Sequence, residues 1–284
     1  MVIVVLGSFT LSGCKKNNDD GVLTIYTSFY PIYDLTQKVV GNKAEVINLV
    51  NSGEAHDYEL TAKQVVALEG EADLIIINGL DMEHFIEDLS QNVLDKVFVA
   101  SDGLQTIEAS VNKTDPHIWL SIRNAKQMMQ NIKNHLVSVD SANAAYYELN
   151  YQKYAILFDA LDNAYIEAVA NFTTTTIVVS HRAFGYLAND YGLTQLAISG
   201  LETDGEADPQ TVANVIDYII DNNITVVYYQ EELNSTIATA IAQETNAQAV
   251  LLYTVESLTQ EQMQAGDDYL SIMALNLLTL KAFN

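Results

Sequence analysis

The chain has 284 residues, 49% of them hydrophobic, and a formal charge of −24 from 37 acidic against 13 basic residues. That length and apolar content supply material for two cores and exclude a disordered composition. The acidic balance argues against nucleic acid and free anionic ligands as partners, and a single cysteine, Cys14, excludes an internal disulfide or a cysteine-built zinc cluster.

In chain order, "MVIVVLGSFTLSGC" is an apolar run that closes on Leu11-Ser12-Gly13-Cys14. It resembles a bacterial lipoprotein signal, in which the cysteine is lipidated and becomes the new N-terminus. It departs from that pattern in having no basic residue before the apolar run. "KKNNDDG" then reads as a polar tether, and no later stretch approaches the length of a membrane span. The expected product is a soluble body anchored through Cys14 to the outer face of the cytoplasmic membrane, at the cell surface or in the periplasm.

From residue 22 the pattern predicts α/β structure. "VLTIYTSFYPIYDLTQKVVG" reads as strand and helix, and "AEVINLV" as a strand. After the loop "NSGEAHDYEL" come a helix "TAKQVVALEGEA", a strand "DLIIINGL", a helix "MEHFIEDLSQ" and a strand "KVFVAS". Short β-rich runs alternating with helical patterns predict a parallel sheet flanked by helices. The order repeats from "TIVVSHRAFGYLANDYG" through "LTQLAISG", "TVANVIDYIIDN", "TVVYYQEEL" and "QAVLLYTVESL". This predicts two similar lobes, with His56 opposite Asp208 and Asp102 opposite Glu256. Thr61 with Gln64 and Thr259 with Gln262 read as capping boxes, and Asp208-Pro209 as N-cap and N1. Between the halves, residues 141–172 hold no Pro or Gly and space apolar residues at three- and four-residue steps. One long, stiff helix is expected there. The predicted divisions are 1–21 signal and tether, 22–138 N-terminal lobe, 139–172 linker helix and 173–284 C-terminal lobe.

Five histidines remain to be placed. His84 and His135 lie in helical patterns flanked by polar residues and read as solvated. His56, in "GEAHDYEL", and His117, in "TDPHIWLS", each precede a helix, and His181, in "IVVSHRAFGY", ends a strand. Ligands of open α/β sheets bind at that strand edge, and imidazole is the commonest metal ligand. The spacings match no short zinc motif, so by spacing alone these histidines are equally surface residues.

Several motifs agree in order with a known family: "TSFYPIYDLTQKVVG", "NSGEAHDYELTAKQVVALEGEADLIIINGL", "DPHIWLS", "SHRAFGYLANDYGL", "VESL" and "GDDYLSIMALNLLTLK". From about residue 22 to its end the chain resembles the cluster A-I metal-binding lipoproteins, the substrate-binding components of zinc and manganese ABC importers. The resemblance implies two βα lobes joined by a rigid helix, with one metal held between them by His56, His117, His181 and an acidic residue. By motif that acid is Glu256; Glu231 and Glu232 are its rivals. Ala55 stands where the family usually has Pro, Ser121-Ile122 replace a usual Asp-Pro, and a His-rich acidic loop is absent.

Pro116 restricts Asp115 and fixes the loop that carries His117, and Trp119, the only Trp, is expected to anchor it. Asp57 and Asp115 are candidates either to accept imidazole N–H groups or to serve as plain turn residues. Three imidazoles and a carboxylate favour Zn(II) over Mn(II). The expected function is zinc capture by a monomer and delivery to a membrane permease, with affinity falling as pH drops through the histidine range. A manganese-binding member, a zinc hydrolase with Glu256 as general base, and an adhesin with incidental metal are the alternatives.

Overall fold

The computed structural model describes residues 21–51, 55–110, 113–201, 208–230 and 235–284. Cys14, the tether, Glu231 and Glu232 lie outside the described residues.

The first lobe is built from β1 (Leu23–Thr27), α1 (Tyr30–Val40), β2 (Ala44–Asn48), α2 (Ala62–Gly70), β3 (Leu74–Ile77), α3 (Gln91–Leu94) and β4 (Val97–Val99). Its four strands run parallel in the order β2-β1-β3-β4. A small antiparallel hairpin, β5 (Glu108–Ser110) and β6 (Lys113–Thr114), and a 3-10 turn (Ile118–Leu120) lead into α4 (Ile122–Val139). The connector α5 (Ala144–Val169) follows. The second lobe contains β7 (Thr176–Val179), α6 (Gly185–Tyr191), β8 (Thr194–Ala197), α7 (Pro209–Asp221), β9 (Val226–Tyr229), α8 (Ser235–Thr245) and β10 (Gln248–Leu251). Helices α9 (Gln260–Ala265) and α10 (Tyr269–Ala282) complete it. Its sheet order is β10-β9-β7-β8, all parallel. Read from each lobe's second strand, both sheets have the order second, first, third, fourth. The repeat expected from the sequence is therefore a repeat of topology.

The central strands β1, β3, β7 and β9 are covered on both faces, as parallel sheets require. Tyr26, Ile75 and Ile77 pack outward with Leu68, Phe85 and Val93. Val178 and Val227 do the same with Val215, Ile219 and Ile241. The inner faces share one core, which runs from Ile25 and Leu35 through Phe158 and Tyr165 to Ile177, Met273 and Leu280. A shared core makes the two lobes one mechanical unit. The 26-residue connector spans about 39 Å at ~1.5 Å per residue. Its Tyr165 hydroxyl donates to Met273 O at 2.7 Å, and Phe158 stacks on Tyr269.

The sequence expectations need two corrections here. Residues 141–143 form a 3-10 turn, so the connector starts at Ala144, not at residue 141. The helix expected over "MEHFIEDLSQ" is a 3-10 turn, His84–Asp88, followed by the one-turn α3. Ser90, at the N-cap of α3, interrupts the helical run. The predicted caps are present: Thr61 and Gln64, and Thr259 and Gln262, form capping boxes, and the Asp208 carboxylate accepts from Thr211 N. Ser121 caps α4 by accepting from Asn124 N at 3.0 Å. Among the described residues, no helix is long and apolar enough to cross a membrane.

Candidate metal centre

His56 precedes α2, His117 opens the 3-10 turn before α4, His181 lies two residues beyond β7, and Glu256 lies five beyond β10. All four come from loops beyond strand ends or before helix starts; the fold brings His56, His117 and Glu256 together between the lobes, with His181 beside His117. They are buried: His117 and His181 are 0% exposed, and His56 and Glu256 are 3% exposed.

His56 Nε2 stands 3.2 Å from His117 Nε2, and His181 Nε2 stands 3.4 Å from the same atom. The ligand atoms of His56, His117 and Glu256 all lie within 4.8 Å of one another, and His181 joins them through His117. A tetrahedron of nitrogen donors at ~2.0–2.1 Å has edges of about 3.3 Å. The two Nε2 spacings match that edge.

Asp115 decides what His117 can offer. Its Oδ1 accepts from His117 N at 2.9 Å and lies 2.8 Å from His117 Nδ1. A carboxylate in that position accepts a hydrogen bond from Nδ1–H, which keeps the proton on Nδ1 and leaves the Nε2 lone pair facing the other two rings. Asp115 therefore serves both as turn residue and as imidazole acceptor. Asp57 is exposed in a turn and makes no hydrogen bond to the His56 ring among the described residues, so of the two expected roles it fills that of a plain turn residue.

The loop that carries His117 is held from both lobes. Trp119, fully buried, packs edge-on against Phe29 at 4.8 Å, and its Nε1 donates to Thr254 O at 2.7 Å. Tyr269 OH donates to Trp119 O, and Tyr186 OH donates to Asp115 O. The tryptophan thus anchors the loop across the lobes, not only within its own lobe as the sequence reading expected. It also grips the main chain two residues before Glu256. Between them Val255, buried and β-branched, has φ 63°, a conformation that costs backbone energy and is sustained by its surroundings.

Burial, and then the neighbouring His117, lower the His56 pKa to about 3. The same two causes, in the same order, hold His181 well below the ordinary imidazole value, with His56 adding to them. Both rings therefore stay neutral through the pH range in which an exposed histidine charges. Proton competition at these two positions starts at lower pH than the sequence reading expected. Folding stability also falls as pH drops, and it begins to fall at a higher pH. The unfolded chain takes up protons at these rings below about pH 6.5 while the folded chain does not. Their contribution to stability is full above that pH; for His56 it falls toward about pH 3, and for His181 it falls in the same direction. Apo protein is expected to lose on the order of 1.4 kcal/mol per pH unit from His56 across that window. Thermal unfolding of apo wild type and His56→Gln over pH 7.5 to 5 checks this, and the variant should show the shallower dependence.

Gly185 shows how tightly Asp115 is placed. A Cβ there would meet Asp115 Oδ2 at 2.7 Å and Ile107 Cδ1 at 2.9 Å. Gly185→Ala improves helix propensity, yet it must shift the carboxylate from the position in which it meets His117. Zinc affinity is expected to fall about tenfold, the usual scale for a displaced ligand support. Chelator competition on the purified variant measures it.

The remaining histidines stand apart. His84 is exposed on its 3-10 turn, as expected. His135 is half-buried and stacks on Phe98 at 4.2 Å, so it is a packing residue where a solvated one was expected. The pseudo-symmetric partners do not share the site: Asp102 and Asp208 are exposed, the latter as a helix cap. Sequence reasoning overlooked the interlobe contacts of Trp119, Tyr186 and Tyr269. The signal available for them was the placement of large aromatics in the first turns of α6 and α10 and in the 3-10 turn after His117.

Two equivalent parallel-sheet lobes, one shared core and a dry cluster of imidazoles and carboxylate at their junction define a two-lobed binding protein. Residues 25–283 match the family described as zinc-uptake complex component A, periplasmic (ZnuA), and the chain belongs to that family. It is 32% identical to the zinc-binding lipoprotein AdcA of Streptococcus pneumoniae over 99% of this chain, and spans 60% of that relative's length. It is 32% identical to the high-affinity zinc uptake system protein ZnuA of Bacillus subtilis, covering 99% of this chain and 93% of the relative. The Zn(II)-bound ZnuA-like domain of pneumococcal AdcA superposes with a TM-score of 0.81 at 33% identity, covering 93% of this chain and 99% of that domain.

Proposed function

We propose that the protein captures Zn(II) outside the cytoplasmic membrane and delivers it to the permease of an ABC importer. His56, His117, His181 and Glu256 are its ligands. The carrying observation is the pair of Nε2 spacings, 3.2 and 3.4 Å, around a His117 whose tautomer Asp115 sets. One lone pair cannot serve two imidazole neighbours well, whereas a cation among them satisfies all three rings. Nitrogen donors dominate the set, which favours zinc over manganese. Family membership and the zinc-binding names of the relatives point the same way.

Four protein donors complete a tetrahedron and leave no position for a reacting water. Capture therefore fits the site better than hydrolysis. In this reading residues 1–21 are signal and tether with Cys14 lipidated, 22–138 and 173–284 are the lobes, and 139–172 is their connector. The body acts as a monomer held at the outer face of the membrane, and its acidic surface draws cations toward it.

Metal analysis of protein purified from its own host without added metal tests the reading. About one zinc per chain is expected. Manganese in its place, or no metal after zinc has been supplied, would overturn it.

A further inference from the structure

Residues 78–83 join β3 to the turn that carries His84. They include none of the candidate ligands, yet they are built more tightly than a surface turn requires. Gly79, Leu80 and Asp81 have φ of 85°, 60° and 60°, three successive residues in the left-handed region. For leucine and aspartate that conformation is unfavourable and needs support. Glu83 supplies it: Oε1 accepts from Asn78 N at 2.7 Å and Oε2 from Gly79 N at 2.9 Å. Glu83 is itself buried, so the chain places a carboxylate in its interior to close this turn. Gly79 admits no side chain, since a Cβ would stand 2.5 Å from Val99 Cγ1. Ser101 Oγ donates to Asn78 O at 2.6 Å and pins the turn from the other side.

The turn presents Asn78. That side chain is fully buried, and its Nδ2 donates to Gly79 O at 2.9 Å and to Pro116 O at 3.1 Å. Its Oδ1 has no hydrogen bond among the described residues. A buried amide left half-satisfied costs stability, which fits a residue kept for what its donors hold. Pro116 directly precedes His117. Tyr186 and Tyr269 grip this loop from the second lobe. Among the described residues, Asn78 is the one side chain of the first lobe outside residues 115–119 that hydrogen-bonds their main chain.

We infer that Asn78 and Glu83 are positioning residues for the metal centre. Glu83 clamps the left-handed turn, the turn aims Asn78, and Asn78 holds Pro116 so that His117 Nε2 keeps its distance from the His56 and His181 rings. The inference rests on the zinc reading and extends it to residues that never touch the ion.

The test compares Asn78→Ala and Glu83→Gln with Asn131→Ala in the full chain. Asn131 is a matched control: its amide also donates to two main-chain oxygens of the first lobe, Ala100 O and Asp102 O, away from the His117 loop. Zinc affinity is read by chelator competition. Site geometry is read from the visible absorption of Co(II) bound in place of zinc, which a loss of overall stability alone does not alter. Asn78→Ala is expected to weaken zinc about tenfold or more and to shift the Co(II) bands, with Glu83→Gln moving both in the same direction by less. Asn131→Ala should leave both at wild-type values. Wild-type affinity and spectrum in Asn78→Ala would overturn the inference, and so would an equal loss in Asn131→Ala. If Asn78→Ala does not fold, unchanged affinity and spectrum in Glu83→Gln overturn it. A wild-type protein that takes up no zinc would sink the function itself, whereas a zinc-binding wild type indifferent to Asn78 sinks only the positioning role.

Discussion

His117→Ala is expected to lower zinc affinity by at least about a hundredfold and to leave a folded protein. The first part follows from geometry. His117 Nε2 is the atom from which both other rings are measured, and Asp115 exists locally to orient it. Outer supports of metal ligands are already worth 10- to 100-fold, so a ligand at the centre of the cluster should exceed that range. The second part follows from how the loop is held. Trp119, Tyr186 and Tyr269 keep their bonds to it when the imidazole is removed. What is lost is the Asp115 partner and some packing, on the order of 1–3 kcal/mol. Chelator competition and apo thermal unfolding measure the two parts separately. His84→Ala, exposed on its 3-10 turn and outside the group of ligand atoms although its charge is felt at His56, should change neither. Undiminished zinc binding in His117→Ala would remove the basis for the site.

Much of this was legible in the sequence for identifiable reasons. The strands announce themselves because both faces are covered, so runs such as Leu74–Ile77 are apolar throughout. The caps are local chemistry and need no tertiary knowledge: Thr61, Asp208 and Thr259 all act as their spacing predicts. The candidate ligands were a different matter. Periodicity places His56, His117 and His181 on loops, apart from His84 and His135, but cannot bring them together, and only the family motifs assigned them to one metal. What stayed hidden is what depends on distant partners. Nothing local marks the main-chain grip of Trp119 on Thr254, 135 residues away. Nor does "MEHFIEDLSQ" reveal that Glu83 turns back to the backbone of Asn78 and Gly79 in place of starting a helix.

The largest stability effect is expected away from the metal, at Lys38. Its Nζ lies 2.8 and 2.6 Å from the two Asp34 oxygens and 2.8 Å from Asp268 Oδ2. Asp34 and Lys38 sit one turn apart on α1, whereas Asp268 caps α10, so this ion cluster ties the first lobe to the last helix. The Lys38 and Asp34 side chains are only 5% and 10% exposed. Burial alone would lower the lysine pKa, but Asp34 and Asp268 outweigh it and the net shift is upward. Lys38→Met removes the cation and leaves a buried carboxylate beside a second one. Breaking a buried pair in this way costs about 3–5 kcal/mol, and apo thermal or denaturant unfolding at neutral pH should show a loss of that size. The sign of its pH dependence is also set. Burial already holds the Asp34 carboxyl above its ordinary value with Lys38 beside it; losing the cation raises it further, so the folded variant takes up a proton at higher pH than wild type as the solution is acidified. The deficit relative to wild type should therefore shrink from neutral pH toward about pH 4. Asp34→Asn added to Lys38→Met removes the orphaned charge and should recover a large part of the loss at neutral pH. A Lys38→Met variant as stable as wild type, or a double variant no better than the single one, would show that the cluster does not bind the lobes together.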